Sequence, residues 1–441
     1  MSNNLNDNRK RKNFLSIFYP ILRSNQLIYA YMASSLVWFL SCSTLVKSSW
    51  AGDDWPNSQT PYWVKWRYGS LNAKQVLHEA LFWNQQWMDG AGRFYPLHWI
   101  ESRFIFSYLK EIWQYKIFQG VSLLLVGILA TYVVYLFSQS HSLSIIFFMT
   151  LSVTMQFRRD FDPHLAFASM VPSMLIKYFL AVILIFKSAR QTSEFNKLIL
   201  SVIACVIYFA SMSTYEFSFL LFPALVLSLF IGKKSGSKIH LTEMKIQLLD
   251  YRVFMLFGTW FLYLILVFGY LRPKALDISG SYELGLSLAS LHVFLSQALV
   301  GIPGVTFRTR DFSSTSTSLT ALVLIALVSY FAARSLLFAL ASLNLDSGKR
   351  LRKNLRNRHS EKANIDLAPE SKTNTVLIVF FALIFVLGPG LMMSFQPAWW
   401  SRANLGHSYL GVLITEIGTA IILAIIVDAM LLSRMRKVNK R

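Results

Sequence analysis

The sequence predicts an all-helical, polytopic integral membrane protein. Three observations predict it: 54% of the 441 residues are apolar, only 15% are charged, and the mean hydropathy is +0.44. A soluble domain carries about 25% charged residues. Apolar runs of about twenty residues recur along the whole chain, the length a helix needs to cross a hydrocarbon core of ~30 Å. Intrinsic disorder, a disulfide scaffold and a water-soluble enzyme are thereby excluded. Cys42 and Cys205 both lie inside apolar segments and cannot build a metal cluster.

About ten segments (eight to twelve) read as membrane helices, at roughly 27–46, 117–137, 143–157, 165–186, 198–213, 216–231, 253–271, 319–341, 373–393 and 409–432. The third, fifth and sixth are short, and fit by tilting, local thinning of the bilayer or burial in the bundle. The first span follows a long basic stretch and no Ala-x-Ala site follows it, so it reads as an uncleaved anchor rather than a signal peptide. Residues 1–26 form a basic amino terminus, and 27–441 form a single transmembrane domain.

Cations set the expected orientation. With a cytoplasmic amino terminus, one set of loops carries Arg9-Lys10-Arg11-Lys12, Lys187/Arg190/Lys197, Lys233/Lys234/Lys238, the run Lys349–Lys353 inside loop 342–372, and the basic carboxyl terminus Arg434–Arg441. This asymmetry accounts for most of the net charge of +21 (43 Lys+Arg against 22 Asp+Glu). A basic face on anionic lipid explains it without nucleic acid. Both termini are then cytoplasmic, and two long loops, 47–116 and 272–318, lie outside. Long ordered loops between spans are where function concentrates.

Loop 47–116 holds eight of the twelve tryptophans, and its segment Asn72 to Asp89 has the spacing of an amphipathic helix lying on the membrane. These tryptophans read either as an interfacial anchoring belt or as a platform on which sugar rings stack, with Trp55, Trp87 and Trp99 as candidates. Trp50-Ala51-Gly52-Asp53-Asp54-Trp55 places two adjacent carboxylates just after the first span. Repulsion and desolvation raise the pKa of one of them. Such a carboxylate can take a proton from an attacking hydroxyl or hold a divalent cation; the bland reading is a solvated turn. Gly92-Arg93 with Pro96 offers a tight turn and a guanidinium for a phosphate.

Arg158-Arg159-Asp160-Phe161-Asp162-Pro163-His164, between the third and fourth spans, reads as mutual salt bridges or as a phosphate or metal site. Glu216, between two apolar helices, is a functional candidate or a helix cap. Arg402 can meet a lipid-linked phosphate or snorkel to headgroups. The stretch Leu284 to Val305 in loop 272–318 reads as a re-entrant or surface helix, or as extra short spans. No phosphate-binding loop, dinucleotide fingerprint, His-Glu-x-x-His or Gly-x-Ser-x-Gly appears, so ATP-driven transport and serine or zinc hydrolysis lack support.

These features resemble the GT-C superfamily of polytopic glycosyltransferases. Asp53-Asp54 matches that family's first-loop acidic motif in position and type, Asp160/Asp162 looks like the second acidic motif of some members, and Gly92-Arg93 with Pro96 resembles a first-loop turn of bacterial members. The resemblance implies transfer of a sugar from a polyprenyl-phosphate-linked donor to a glycan or lipid-linked acceptor on the extracytoplasmic face of a bacterial inner (plasma) membrane. Asp53 or Asp54 would act as base; Arg93, Arg158, Arg159 and Arg402 would meet the donor phosphate. Asp160, Asp162, His164 and Glu216 would form an accessory acidic site, with Mg or Mn as the possible divalent cation. One displacement implies inversion at the anomeric carbon. The rivals are a polymerase or ligase of lipid-linked glycans, and a flippase or transporter without chemistry; against the latter, no internal repeat is visible and the ionisable residues gather at helix ends.

Overall fold

A computed structural model describes residues 31–32, 34–43, 45, 48, 50, 53–155, 167–233, 250–275, 285–301, 372–397, 400 and 411–438. Every regular element among these residues is helical. Six helices are long and apolar enough to cross a membrane: Ile112–Ser138, Met170–Arg190, Glu194–Thr214, Tyr251–Lys274, Thr375–Ser394 and Val412–Met430. Shorter apolar helices are Ser34–Ser43, His141–Thr154, Phe222–Lys233 and Leu288–Leu299. The protein is a multi-pass membrane bundle. The span expected at 319–341 lies outside the described residues, as do nearly all of the basic loop 342–372 and most of loop 272–318.

In chain order the helices are α1 (Ser34–Ser43), α2 (Asp54–Ser58), α3 (Thr60–Tyr68), α4 (Ala73–Ala91), α5 (Pro96–Tyr108), α6 (Ile112–Ser138), α7 (His141–Thr154), α8 (Met170–Arg190), α9 (Glu194–Thr214), α10 (Phe217–Leu220), α11 (Phe222–Lys233), α12 (Tyr251–Leu264), α13 (Leu288–Leu299), α14 (Lys372–Ser394) and α15 (Val412–Val438). Local sequence sets their starts. Asn72, Ser140, Ser193 and Asp250 each accept a backbone N–H at the first turn of α4, α7, α9 and α12. Glu111 and Gln114 form a capping box that begins α6 well before its apolar run. The expected sixth span is divided: α10 ends at Leu220 and α11 resumes at Phe222.

The spanning helices pack as neighbours, α8 against α9 and α11, α6 against α7 and α8, and α14 against α13 and α15, while α7 also meets α15. Phenylalanines fill the centre: Phe381 meets Phe137 edge to face at 5.1 Å, and Phe385 stacks on Phe179 at 5.7 Å. At Gly418 a Cβ would lie 2.6 Å from the Ala382 carbonyl, so α14 and α15 touch backbone to backbone.

Helix directions alternate, and the contacts sort the connections by end. Residues of α2–α5, Ala168, Glu216, Arg272 and Gln396 all meet one another's neighbourhood at one end. Lys233, the last residue of α11, pairs at the opposite end with Asp250, the residue before α12, at 2.5 Å. The loop expected at 47–116 is thus a four-helix cap on one end of the bundle. Its helix α4 matches the expected surface helix within two residues at each end.

Candidate functional site

Asp54 opens α2 and its side chain is fully buried, whereas Asp53, the residue before it, is exposed. Tyr115 Oη donates to Asp54 Oδ2 at 2.6 Å, and the Ala168 N–H donates to Oδ1 at 3.0 Å. Gln119 Nε2 in turn donates to Tyr115 Oη at 2.8 Å. Trp50 and Phe106 enclose the Tyr115 ring at 5.1 and 5.0 Å. Burial pushes the Asp54 carboxyl up to about 7; the bonds from Tyr115 and Ala168 and the nearby Lys116 charge only partly offset it. Desolvation also raises the Asp53 carboxyl from its ordinary value.

The tether ends on strained backbone. Ala168 and Ser169 have φ of +48° and +58°, the left-handed region. That conformation costs non-glycine residues about 1–2 kcal/mol each, so the surrounding contacts must hold it.

A second group forms where α4 ends. Gly92, at φ +64°, closes the helix in a Schellman-type turn: its N–H reaches Met88 O, and the Arg93 N–H reaches Trp87 O at 3.2 Å. The turn sends the Arg93 guanidinium over Tyr95 (4.8 Å) and Trp87 (5.8 Å), and into an ion pair with Glu216 Oε1 at 2.5 Å. A Cβ on Gly92 would stand 2.6 Å from Arg272 Cα, so only glycine allows this approach. Arg272 follows a π-helical turn, Ile265–Leu271, which continues α12. Such turns are often found at functional sites.

Arg93, Glu216, Arg272 and Gln396 border a crevice of about 290 Å³ whose remaining walls are apolar, among them Phe219, Leu264, Phe268 and Met392. Two guanidiniums and one carboxylate at the edge of an apolar slot suit an amphiphile with an anionic head.

A third polar group lies between α5 and α8. Lys177 Nζ donates to Glu101 Oε1 and to Ser173 Oγ, both at 2.6 Å, and Ser173 Oγ donates to Glu101 Oε2 at 2.5 Å. His98, one turn before Glu101, is lowered to about 3 by burial, then by the charges of Arg103 and Lys177.

The structure therefore brings Arg93 and Glu216 together, and ties Asp54 to Tyr115 and Ala168. Glu216 is the residue before α10, and its carboxylate serves the ion pair rather than a side-chain cap. Of the tryptophans, Trp55 is 61% exposed, while Trp99 is 9% exposed, stacked on Trp83 at 5.8 Å with Arg103 over its ring at 4.9 Å. Trp99 is thus packed among Trp83, Trp87 and Arg103, with little of its ring left accessible. Trp87 sits between Trp99 and Arg93. Arg158, Arg159, Asp160, Asp162, His164 and Arg402 lie outside the described residues. Among the described residues, no group of three or more His, Cys, Asp or Glu is placed to hold a metal ion.

Sequence reasoning missed Tyr115, Arg272 and the Glu101–Ser173–Lys177 group. Lys177 carried a usable signal, an ionisable residue inside an apolar run. Comparison of the chain with protein-family models, with curated proteins and with solved structures finds no match.

Proposed function

We propose that the protein is a GT-C-like membrane glycosyltransferase that moves a sugar from a polyprenyl-phosphate-linked donor to a hydroxyl of a glycan or lipid-linked acceptor. The observation that carries this reading is the apolar crevice edged by Arg93, Glu216 and Arg272, at the same end of the bundle as Asp53 and Asp54. An isoprenoid chain suits the apolar walls, and the donor phosphate suits the two guanidiniums. In the reaction, an Asp53 or Asp54 carboxylate accepts the acceptor's hydroxyl proton as its oxygen bonds to the anomeric carbon. The bond from that carbon to the phosphate oxygen breaks, and polyprenyl phosphate leaves with its charge held by the arginines. A single displacement inverts the anomeric centre.

A divalent cation would add charge at the phosphate, and Asp160, Asp162 and His164 are the residues assigned to it. On this reading the α2–α5 cap is extracytoplasmic, both termini are cytoplasmic, and the membrane is a bacterial inner membrane.

The test uses purified protein in nanodiscs and native mass spectrometry with decaprenyl phosphate and decaprenol as probes. The phosphate is expected to bind at least tenfold more tightly, with the difference lost in Arg93→Ala. Equal binding of the two probes, or normal glycan synthesis in cells by both Asp53→Asn and Asp54→Asn at normal expression, overturns the reading.

A further inference from the structure

Helices α2 and α3 turn their aromatic residues outward. Trp55, Tyr62, Trp63 and Trp66 are 61%, 60%, 44% and 69% exposed, while the same helices bury Asp54, Thr60 and Val64. The α3 rings meet edge to face, Tyr62 with Trp63 at 5.3 Å and Trp63 with Trp66 at 6.2 Å, forming a continuous ridge. An uncovered aromatic ridge of this size marks a surface that meets something.

Its height on the bundle identifies what it meets. The bond from Tyr115 to Asp54 fixes α2 beside the first turn of α6. Arg103 holds the α2–α3 junction at that level, donating to Asn57 Oδ1 at 3.0 Å and to Thr60 Oγ1 at 2.7 Å. On α6, the exposed residues Trp113, Ile117, Val121, Leu125 and Ile128 recur every three or four positions along one face. That face is a lipid-facing stripe, and Trp113 is its top. Exposed Tyr108 and Lys110 lie just before it, the mixture of aromatic and cationic groups found at the headgroup level. The ridge therefore stands beside the boundary of the same bilayer that α6 crosses. Trp and Tyr favour that layer because their rings leave water while their N–H and O–H groups stay hydrated.

We infer that α2–α3 is an in-plane membrane anchor whose aromatic ridge inserts into the phospholipid headgroup layer and fixes the Asp53–Asp54 pair at the membrane boundary. Trp55 is then a lipid contact and not a sugar platform. The inference concerns the membrane and stands whether or not the protein transfers sugar.

The test compares wild type with the triple variant Trp55→Phe/Trp63→Phe/Trp66→Phe in nanodiscs of phosphatidylcholine and phosphatidylglycerol. Phenylalanine keeps the ridge apolar and removes three of the twelve tryptophans. Phosphatidylcholine brominated near the top of its acyl chains is expected to quench a share of wild-type emission that the triple variant lacks. Acrylamide in the aqueous phase should quench that share weakly. Two results overturn the inference: the share answers to acrylamide and not to brominated lipid, or soluble maltoheptaose shields it from acrylamide while brominated lipid leaves it unchanged.

Discussion

Replacing Asp54 by asparagine tests the buried acid directly. Its carboxyl is fully buried and moved from an ordinary 3.8 to about 7. A pKa raised on folding means that the folded chain binds its proton more tightly than the unfolded chain does. The associated stability is complete below about pH 4 and is lost as the pH climbs to about 7. At 1.36 kcal/mol per pH unit the loss is about 4 kcal/mol. Asparagine keeps a similar shape, accepts the Ala168 N–H on its oxygen and turns its amide N–H toward Tyr115 Oη as a donor, and it has no proton to lose. Melting curves in nanodiscs at pH 4 and pH 8 are expected to show the variant gaining on wild type between the two conditions, in the direction of that ~4 kcal/mol. The exposed neighbour supplies the control, and Asp53→Asn should follow the wild-type curve much more closely. Parallel pH dependences for Asp54→Asn and wild type would refute the argument, because a buried acid of this kind must destabilise the fold as it ionises.

Two glycines two positions apart should respond with opposite signs. Gly92→Ala meets left-handed backbone and the Arg272 Cα at 2.6 Å, and is expected to cost about 2–4 kcal/mol by thermal melting and to reduce decaprenyl phosphate binding. Gly90, helical and with open space where a Cβ would stand, should gain about 0.5–1 kcal/mol as alanine. Glu216→Gln removes the charged partner of Arg93 and should lower stability by about 1.5–3 kcal/mol, again read as a melting shift. Asp250→Asn should abolish a stabilisation with the reverse pH dependence: burial alone would raise this acid, but bonds from Arg252 and Lys233 hold it well below the usual carboxylate range, so wild type loses that stability as the pH falls through the acid range and the variant does not.

The bundle was legible in the sequence because apolar periodicity records burial and lipid contact directly. Spans at 165–186 and 198–213 reappear as α8 and α9 with ends moved by a few residues. Boundaries shifted where polar chemistry rather than hydropathy decides them: the Glu111–Gln114 box starts α6 about a turn before the apolar run. The cap was legible only in part. Helix α4 showed its stripe, whereas α3 exposes its aromatics and α5 buries Ser102, Arg103 and Ser107 together with Trp99 and Phe106, so neither follows a simple apolar face. Arg93 and Glu216 stood out separately as site candidates, yet their pairing spans 123 positions and depends on how α4 and α9 end. Arg272 became visible only through the close approach of its backbone to Gly92.

Asp54 and Asp250 solve the burial of a carboxylate in opposite ways, and the contrast bears on function. Asp250 has Lys233 and Arg252 within 2.6 Å, so its charge is stabilised where it sits. Asp54 instead receives one hydroxyl and one backbone N–H, with Lys116 near enough to lower its pKa but not to cancel the effect of burial. If its task were only to tie α2 to Ala168, an asparagine could also hydrogen-bond there without the cost of ionisation. An acid near 7 is poised to gain or release a proton at neutral pH, the property an acid–base site requires. The anchoring role of Asp54 explains its bonds; the proposed transferase would use a titrating carboxyl at this end of the bundle, beside exposed Asp53.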